Sequence, residues 1–274
     1  MQVIENAQQA KENNSYYKAL TELLYQLADD DFILSFRGSE WLGLAPHIEE
    51  DVAFSSISQD TMGHAAMYYQ LLEDLGEGDA DHLAHGRKAS ERKNAILLEE
   101  KNGTGTYLEE PRYDWAFTVV RNFFYDTYKK VRLDSLKNSS YQPLKHAAIK
   151  INMEQYYHIM HWSTWFKQLT MAGGEARKRM QEAIDRAWAE FQGVLTLGPL
   201  VDEMAKHELI ASEEQLTVTW TSYMKGIFEE VGLDFPGPCE MKKGNGREGV
   251  HTPDLDQALE TLSAVYVTDT KAVW

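Results

Sequence analysis

Residues 15–46 read SYYKALTELLYQLADDDFILSFRGSEWLGLAP, and their periodicity decides the fold. Leu20, Leu23, Leu24, Leu27, Ile33, Leu34 and Leu42 recur mainly at three- and four-residue steps, the spacing of one face of an α-helix. The run predicts a helix of about eight turns from Ser15 to Ala45, ended by Pro46. A second long helix is expected from Ile48 to Leu75. Glu49, Glu50 and Asp51 lie in its first turn, where negative charge suits the helix dipole, and Gly76 and Gly78 close it. So short a connection makes the two helices antiparallel neighbours.

Residues 79–112 read as a crossover, with a short helical piece from Asp81 to Lys88 and a Gly-rich turn at Asn102-Gly103-Thr104-Gly105. A third long helix is expected from Tyr113 to Asn138 and, after the Ser139-Ser140 break, a fourth from Pro143 to Met171, closed by Gly173-Gly174. Further helices are expected over Glu175–Leu195, Glu213–Val231 and Asp254–Val267, the last starting at Thr252-Pro253. The segment from Leu233 to Val250 reads as a surface loop, and strand signals are weak throughout. Long hairpin, crossover, long hairpin is the connectivity of an all-α, ferritin-like four-helix bundle. The expectation is one domain over residues 1–274, with core hairpins at about 15–75 and 113–172 and C-terminal helices and tail over 175–274.

The charge balance, 27 Lys plus Arg against 43 Asp plus Glu for a net −16, argues against nucleic acid or an anionic membrane as partner. One cysteine, Cys239, excludes an intrachain disulfide framework and favours a cytoplasmic location. The N-terminus is polar, and no run of apolar residues is long enough to span a bilayer. An aromatic content of 11%, with 14 Tyr and 10 Met but only seven Pro, suits thickly packed helices.

Ferritin-like metal bundles take one carboxylate from the first helix of each hairpin and a Glu-x-x-His pair from the second. A related pattern is present twice. Asp31 is followed 29 residues later by Asp60 and four further on by His64; Asp126 is followed 28 residues later by Glu154 and four further on by His158. The shared register could bring all six side chains to mid-bundle. The step inside each pair differs, because a three-residue step falls about 60° short of a full turn and a four-residue step passes it by about 40°. Where a strict Glu-x-x-His places its carboxylate, this chain has Thr61 and Gln155, neither a normal iron ligand. Two readings follow. Either the six are a polar plug, hydrogen-bonded to one another and to a hydroxyl such as Tyr125 or Tyr157, or they hold a metal pair, with iron as the natural candidate. A ferritin-like iron store is disfavoured, since neither hairpin carries Glu-x-x-His.

The aromatic run Tyr156, Tyr157, His161, Trp162, Trp165 and Phe166 reads as core and helix-packing surface. Cys239, in a Pro/Gly loop, reads as a free thiol, and Gly103-Thr104-Gly105 lacks the Lys-Ser/Thr of a phosphate loop. Lys242, Lys243 and Arg247 form a basic cluster that reads either as a solvated loop or as a contact for a phosphate-bearing ligand or an acidic partner.

Several stretches resemble the C-type, structural subunit of the bacterial phenylacetyl-CoA epoxidase. Residues 35–46, with Glu40-Trp41-Leu42-Gly43-Leu44-Ala45-Pro46, are similar to that family's Gly-Glu-Trp-x-Gly-x-Ala-Pro pattern, with Ser39 in place of the first Gly. Asp60-Thr61-Met62-Gly63-His64 resembles its Asp-x-x-Gly segment, and Glu154-Gln155-Tyr156-Tyr157-His158 its Glu-x-x-Tyr-His segment. Gly246-Arg247-Glu248-Gly249-Val250-His251-Thr252 is similar to the Gly-x-x-Gly-x-His-Thr ending, which closes on a Trp as here at Trp274. Departures are Thr261-Leu262-Ser263, where the family has Glu-Met-Gln, and Thr270-Lys271, where it has Pro-Gly.

The resemblance implies a non-catalytic member of a multicomponent oxygenase, ferritin-like but without a competent metal site. It would pair with and stabilise a catalytic di-iron subunit that turns the ring of phenylacetyl-CoA into a 1,2-epoxide with electrons from NADPH. No catalytic or cofactor-binding residue is then expected in this chain, and Asp31, Asp60, His64, Asp126, Glu154 and His158 would be vestigial. Homo-oligomerisation is expected as well. The rival expectation is an enzyme in which those six residues hold a metal pair that activates O2.

Overall fold

The computed structural model describes residues 3–272, so Trp274 lies outside the described residues. The helices are α1 (Ala7–Lys11), α2 (Asn14–Ser39), α3 (Ile48–Asp74), α4 (Ala80–His85), α5 (Ile96–Glu99), α6 (Trp115–Leu136), α7 (Gln142–Met171), α8 (Gly174–Trp188), α9 (Gln192–Leu195), α10 (Val201–Lys206), α11 (Glu213–Glu230) and α12 (Pro253–Ser263). One two-stranded antiparallel hairpin, β1 (Gly103–Thr106) and β2 (Glu109–Tyr113), interrupts them. The fold is all-α and ferritin-like, as expected, and no helix among the described residues is long and apolar enough to cross a membrane.

Local chemistry fixes the long helices. The Asn13 side chain accepts from the amides of Ser15 and Tyr16 at the start of α2, and Asp114 does the same for Ala116 and Phe117 at the start of α6. Gly76 adopts φ +80° after α3; its amide reaches the Glu73 carbonyl and that of Glu77 the Leu72 carbonyl, a Schellman closure. α2 with α3 and α6 with α7 form the two hairpins, and α8 and α11 pack against α6. The hairpins face one another in antiparallel fashion. Across α2 and α6, the Trp41 indole donates to Thr118 at one end and Tyr16 meets Ser140 at the other. Across α3 and α7, the Trp165 indole donates to Glu50 and His158 meets Asp60.

Most boundaries shift by one to three residues, and four elements depart further from expectation. α2 stops at Ser39 instead of Ala45, because the chain turns there to bury Trp41 while Glu40 accepts from Arg37 and Asn102. The Gly-rich turn is a β-hairpin, because at Gly103 and Gly105 a Cβ would collide with the carbonyls of Arg112 and Glu110, so only glycine lets the strands close. The helix expected over Glu175–Leu195 breaks after Trp188, which lets Phe191 stack on Trp220 with ring centroids 4.4 Å apart. α12 ends at Ser263, short of Val267.

Phe124, Phe166, Trp188, Phe191, Trp220 and Phe228 make one aromatic cluster joining α6, α7, α8 and α11. Each such ring removes ~150–250 Å² from water, roughly 4–6 kcal/mol on the transfer scale. The tail then staples the crossover to the bundle. Gly246 passes against the Asn94 carbonyl where a Cβ could not fit, His251 meets Glu99 at 2.8 Å, and the Thr252 amide donates to Glu99 at 2.6 Å. That contact set accounts for the Gly-x-x-Gly-x-His-Thr spacing.

Candidate functional site

Three consecutive aspartates sit mid-way along α2, each at most 1% exposed. Successive helical side chains diverge by about 100°, so the three carboxylates serve three different elements. Asp29 faces the crossover. It accepts from Arg87, from Arg92 at 3.3 Å, from the Lys93 amide at 2.8 Å and from the Tyr69 hydroxyl at 2.6 Å. Burial pushes its pKa up, but the Arg87 and Arg92 guanidiniums and these hydrogen bonds outweigh burial and hold it below the usual carboxylate value. Asp30 faces the tail, accepting from Arg247 at 2.8 and 2.9 Å, from Arg132 at 3.1 Å and from the Ala95 amide at 2.9 Å.

Asp31 faces the centre of the bundle. Both its oxygens accept from the Lys129 ammonium at 2.8 Å, and Oδ1 also accepts from the Tyr125 hydroxyl at 2.7 Å. The same ammonium lies 2.9 Å from His64 Nδ1, and His64 Nε2 lies 2.6 Å from Glu154 Oε2. His158 Nε2 is 3.1 Å from Asp60 Oδ2, so each histidine reaches across to a carboxylate of the other hairpin. The two imidazole rings are 6.0 Å apart. Asp126 is buried beside them, and burial raises its pKa against the opposing charges of His158 and Lys129. Thr61 and Gln155 turn to backbone carbonyls, Thr61 to Ile57 at 2.8 Å and Gln155 to Asp126 at 3.3 Å.

The six candidates therefore converge as the register predicts, but around a lysine. An ammonium presents only donors, so it satisfies Asp31 and His64 where a cation would otherwise need them. Among the described residues no group of three His, Cys, Asp or Glu side chains is placed to hold one metal ion. The residues present do not fit a metal pair. The register that equates Asp31 with Asp126 equates Lys129 with Leu34, so the pseudo-symmetry of the hairpins is broken at this residue.

The lysine also fixes a protonation state. Because Lys129 donates to Nδ1, His64 is the neutral tautomer that donates from Nε2 to Glu154. Burial, then the charges of Lys129, His158 and Lys150, hold its pKa well below the ordinary imidazole value. Below the unfolded value of about 6.5, the unfolded chain binds a proton that the folded chain refuses. Stability is thus full above that pH and falls on acidification, by up to about 1.4 kcal/mol per pH unit for this one group. Urea unfolding at pH 6.5 and 5.5 should show His64→Gln losing about 1 kcal/mol less than the parent chain over that interval. Equal losses in both would show that His64 is not the group held neutral.

The remaining candidates resolve simply. Cys239 is half-buried and its thiol is pushed up to about 12 by burial, which makes it a poor nucleophile. The basic cluster is paired within the chain, with Lys242 on Glu240, Lys243 on Glu100 and Arg247 on Asp30; Lys242 and Lys243 are solvated as a surface loop would have them, whereas Arg247 is fully buried. Tyr125 supplies the hydroxyl expected of either tyrosine, whereas Tyr156 and Tyr157 are both 63% exposed and are not core. Trp162 and Phe166 are buried as expected.

Lys129, Arg132, Asp29 and Asp30 escaped the sequence reading, and Arg247 entered it only as part of a basic loop cluster and the tail motif. A signal existed: Arg121, Tyr125, Lys129 and Arg132 recur at four, four and three residues along the predicted core face of α6. Cations at core positions require buried anions, and Asp29-Asp30-Asp31 is the only run of three aspartates in the chain.

The family model described as phenylacetic acid catabolic protein matches residues 1–274. The C subunit of the 1,2-phenylacetyl-CoA epoxidase of Escherichia coli (strain K12) is 29% identical over 245 residues, 89% of this chain and 94% of that protein. The A subunit of the same epoxidase, from the same organism, is 25% identical over 187 residues, 68% of this chain and 56% of that protein. A match along its whole length means that the chain belongs to the phenylacetic acid catabolic protein family.

Proposed function

We propose that this chain is a non-catalytic subunit of a multicomponent phenylacetyl-CoA epoxidase of aerobic phenylacetate catabolism, acting in the cytoplasm to bind and stabilise a catalytic di-iron partner. The observation that carries the reading is the Lys129 ammonium, bonded to both Asp31 oxygens and to His64 in the middle of the candidate ligand set. Similarity to the epoxidase's C-type chain over 94% of that protein supports the assignment to the structural rather than the catalytic type.

In this reading the buried ion pairs replace what a metal centre does mechanically in a catalytic relative. Asp31, Lys129, His64 and Glu154 form one chain of hydrogen bonds that links α2, α6, α3 and α7. The bundle keeps its shape without a cation, and the chain can hold a partner in place while the chemistry proceeds there. The rival reading, a metal-dependent oxygenase built on the six candidate residues, needs Lys129 to leave a buried position in which all its bonds are satisfied.

Reconstitution distinguishes the two. The A-type chain of the same genome, its reductase and NADPH should consume phenylacetyl-CoA, and omission of the present chain should lower that activity or the yield of active protein. The present chain with reductase but without the A-type chain should turn over nothing; epoxide formation by it alone would overturn the proposal.

A further inference from the structure

Four tryptophans crowd the end of the bundle where α2 stops, and their rings form a row that crosses from one hairpin to the other. Tyr113 lies 5.5 Å from Trp41, Trp41 5.0 Å from Trp115, and Trp115 5.6 Å from Trp165, between ring centroids. Trp162 sits beside the row, 6.0 Å from Trp115. Trp41 and Trp162 are buried, whereas Tyr113 and Trp165 at the two ends are partly exposed. Tyr113 opens on a cavity of about 550 Å³ lined in part by the β1–β2 hairpin.

Edge-to-face contact alone is ordinary core packing. What sets the row apart is the fate of each ring proton. Among the described residues, the buried indole N–H groups of Trp115 and Trp162 have no acceptor, and neither has the Tyr113 hydroxyl. The Trp41 N–H donates to Thr118 Oγ1 at 3.1 Å, a neutral oxygen. Trp165 alone of the four donates to a carboxylate, Glu50 Oε2 at 2.5 Å.

An indole that loses one electron becomes a strong N–H acid, and the cation is costly in an apolar interior. Its proton can leave only where a base lies within hydrogen-bond reach. Glu50 supplies that base, and its negative charge also favours the oxidised ring. His161 lies 3.3 Å from the same oxygen; burial holds its pKa below the ordinary imidazole value, so at neutral pH it does not cancel the Glu50 charge. A positive hole along the row is thus most stable at Trp165.

We infer that Tyr113, Trp41, Trp115 and Trp165 are a relay that draws one-electron oxidation out of the core and holds it at Trp165, with Glu50 as the proton acceptor. The oxidant is an oxygen-centred radical, released when an O2-activating enzyme turns over without substrate, so the use of the relay rests on the function proposed above. The radical takes one electron and leaves as its anion. That electron comes from Trp165 through the row, and the indole proton passes to Glu50 Oε2, which leaves a neutral indolyl radical and a carboxylic acid. A one-electron reductant such as ascorbate then returns the electron, and Glu50 returns the proton.

The test uses the isolated full chain carrying Cys239→Ser and Trp274→Phe, with a ruthenium polypyridyl photo-oxidant attached at Arg112→Cys, an exposed position next to Tyr113. Flash oxidation should give the absorption spectrum of a neutral indolyl radical. Peptide mapping should place the oxidised tryptophan at Trp165 and not at Trp188 or Trp220 of the other aromatic cluster. Trp115→Phe should abolish oxidation at Trp165. Glu50→Gln keeps an acceptor for the indole N–H but cannot take the proton; it should replace the neutral radical by the indole cation and spread oxidation over Trp41, Trp115 and Trp162. A distribution unchanged by Glu50→Gln, or oxidation of Trp188 and Trp220 equal to that of Trp165, would overturn the relay and leave the proposed function standing. In the reconstituted epoxidase fed NADPH without phenylacetyl-CoA, Trp165→Phe and Glu50→Gln should each shorten the half-life of activity, and an unchanged half-life would overturn the protective use. Absence of any active complex with the parent chain would overturn the proposed function and that use together, while the isolated chain still decides the relay.

Discussion

Replacing Asp30 by asparagine is expected to lower the free energy of unfolding by about 3–5 kcal/mol, the range found when one partner of a buried ion pair is removed. Asp30 neutralises two guanidiniums, those of Arg132 and Arg247, which are at most 1% exposed. Asparagine keeps the shape and one acceptor oxygen but not the charge, so both arginines remain in the interior uncompensated. The loss is a large fraction of the roughly 5–15 kcal/mol that a domain has in total. It should appear as a fall in Tm of about 6–20 °C. Arg247 anchors the tail, so the same variant should become sensitive to proteolysis in the loop over residues 233–250. A change below about 1 kcal/mol, the size of an exposed pair, would mean that solvent reaches the cluster.

The second large effect is at the centre of the bundle. Lys129→Met removes the cation from Asp31 and the donor from His64 Nδ1, leaving the carboxylate with only the Tyr125 hydroxyl. The expected cost is again about 3–5 kcal/mol by the same mechanism. A second change decides whether the ion pair or the lysine stem is responsible. In Asp31→Asn/Lys129→Met the unpaired charge is gone, and stability should return to within about 1.5 kcal/mol of the parent, since buried pairs are often replaceable by neutral groups. Urea unfolding of the four members of that cycle gives the coupling energy, expected to exceed about 2 kcal/mol. Additive losses would show that Lys129 and Asp31 contribute independently.

The long helices were legible because their signals are local. Apolar steps in residues 15–46, the acidic first turn of α3 and the Gly76 closure depend on neighbours in sequence, and each appears in the structure. The register of Asp31, Asp60 and His64 with Asp126, Glu154 and His158 was legible for the same reason, since helical geometry converts spacing into position. What fills the space between those side chains depends on residues far apart in sequence. Lys129 meets Asp31 across 98 residues and Arg247 meets Asp30 across 217, and no periodicity encodes such pairings. Of the basic cluster, Lys242 and Lys243 lie in a solvated loop as composition suggests, but the burial of Arg247 on Asp30 was hidden, because composition marks a surface loop and cannot reveal the carboxylate beneath it. The β1–β2 hairpin was missed because its strands are four and five residues long and polar, too short to alternate visibly.

Anaerobic titration of the purified chain with ferrous ion, followed by desalting and metal analysis, tests the central claim most directly. With Lys129 between Asp31 and His64, no stoichiometric iron should be retained and Tm should not change on loading. Two irons retained per chain would contradict that claim and restore the six candidate residues as ligands of a working metal pair.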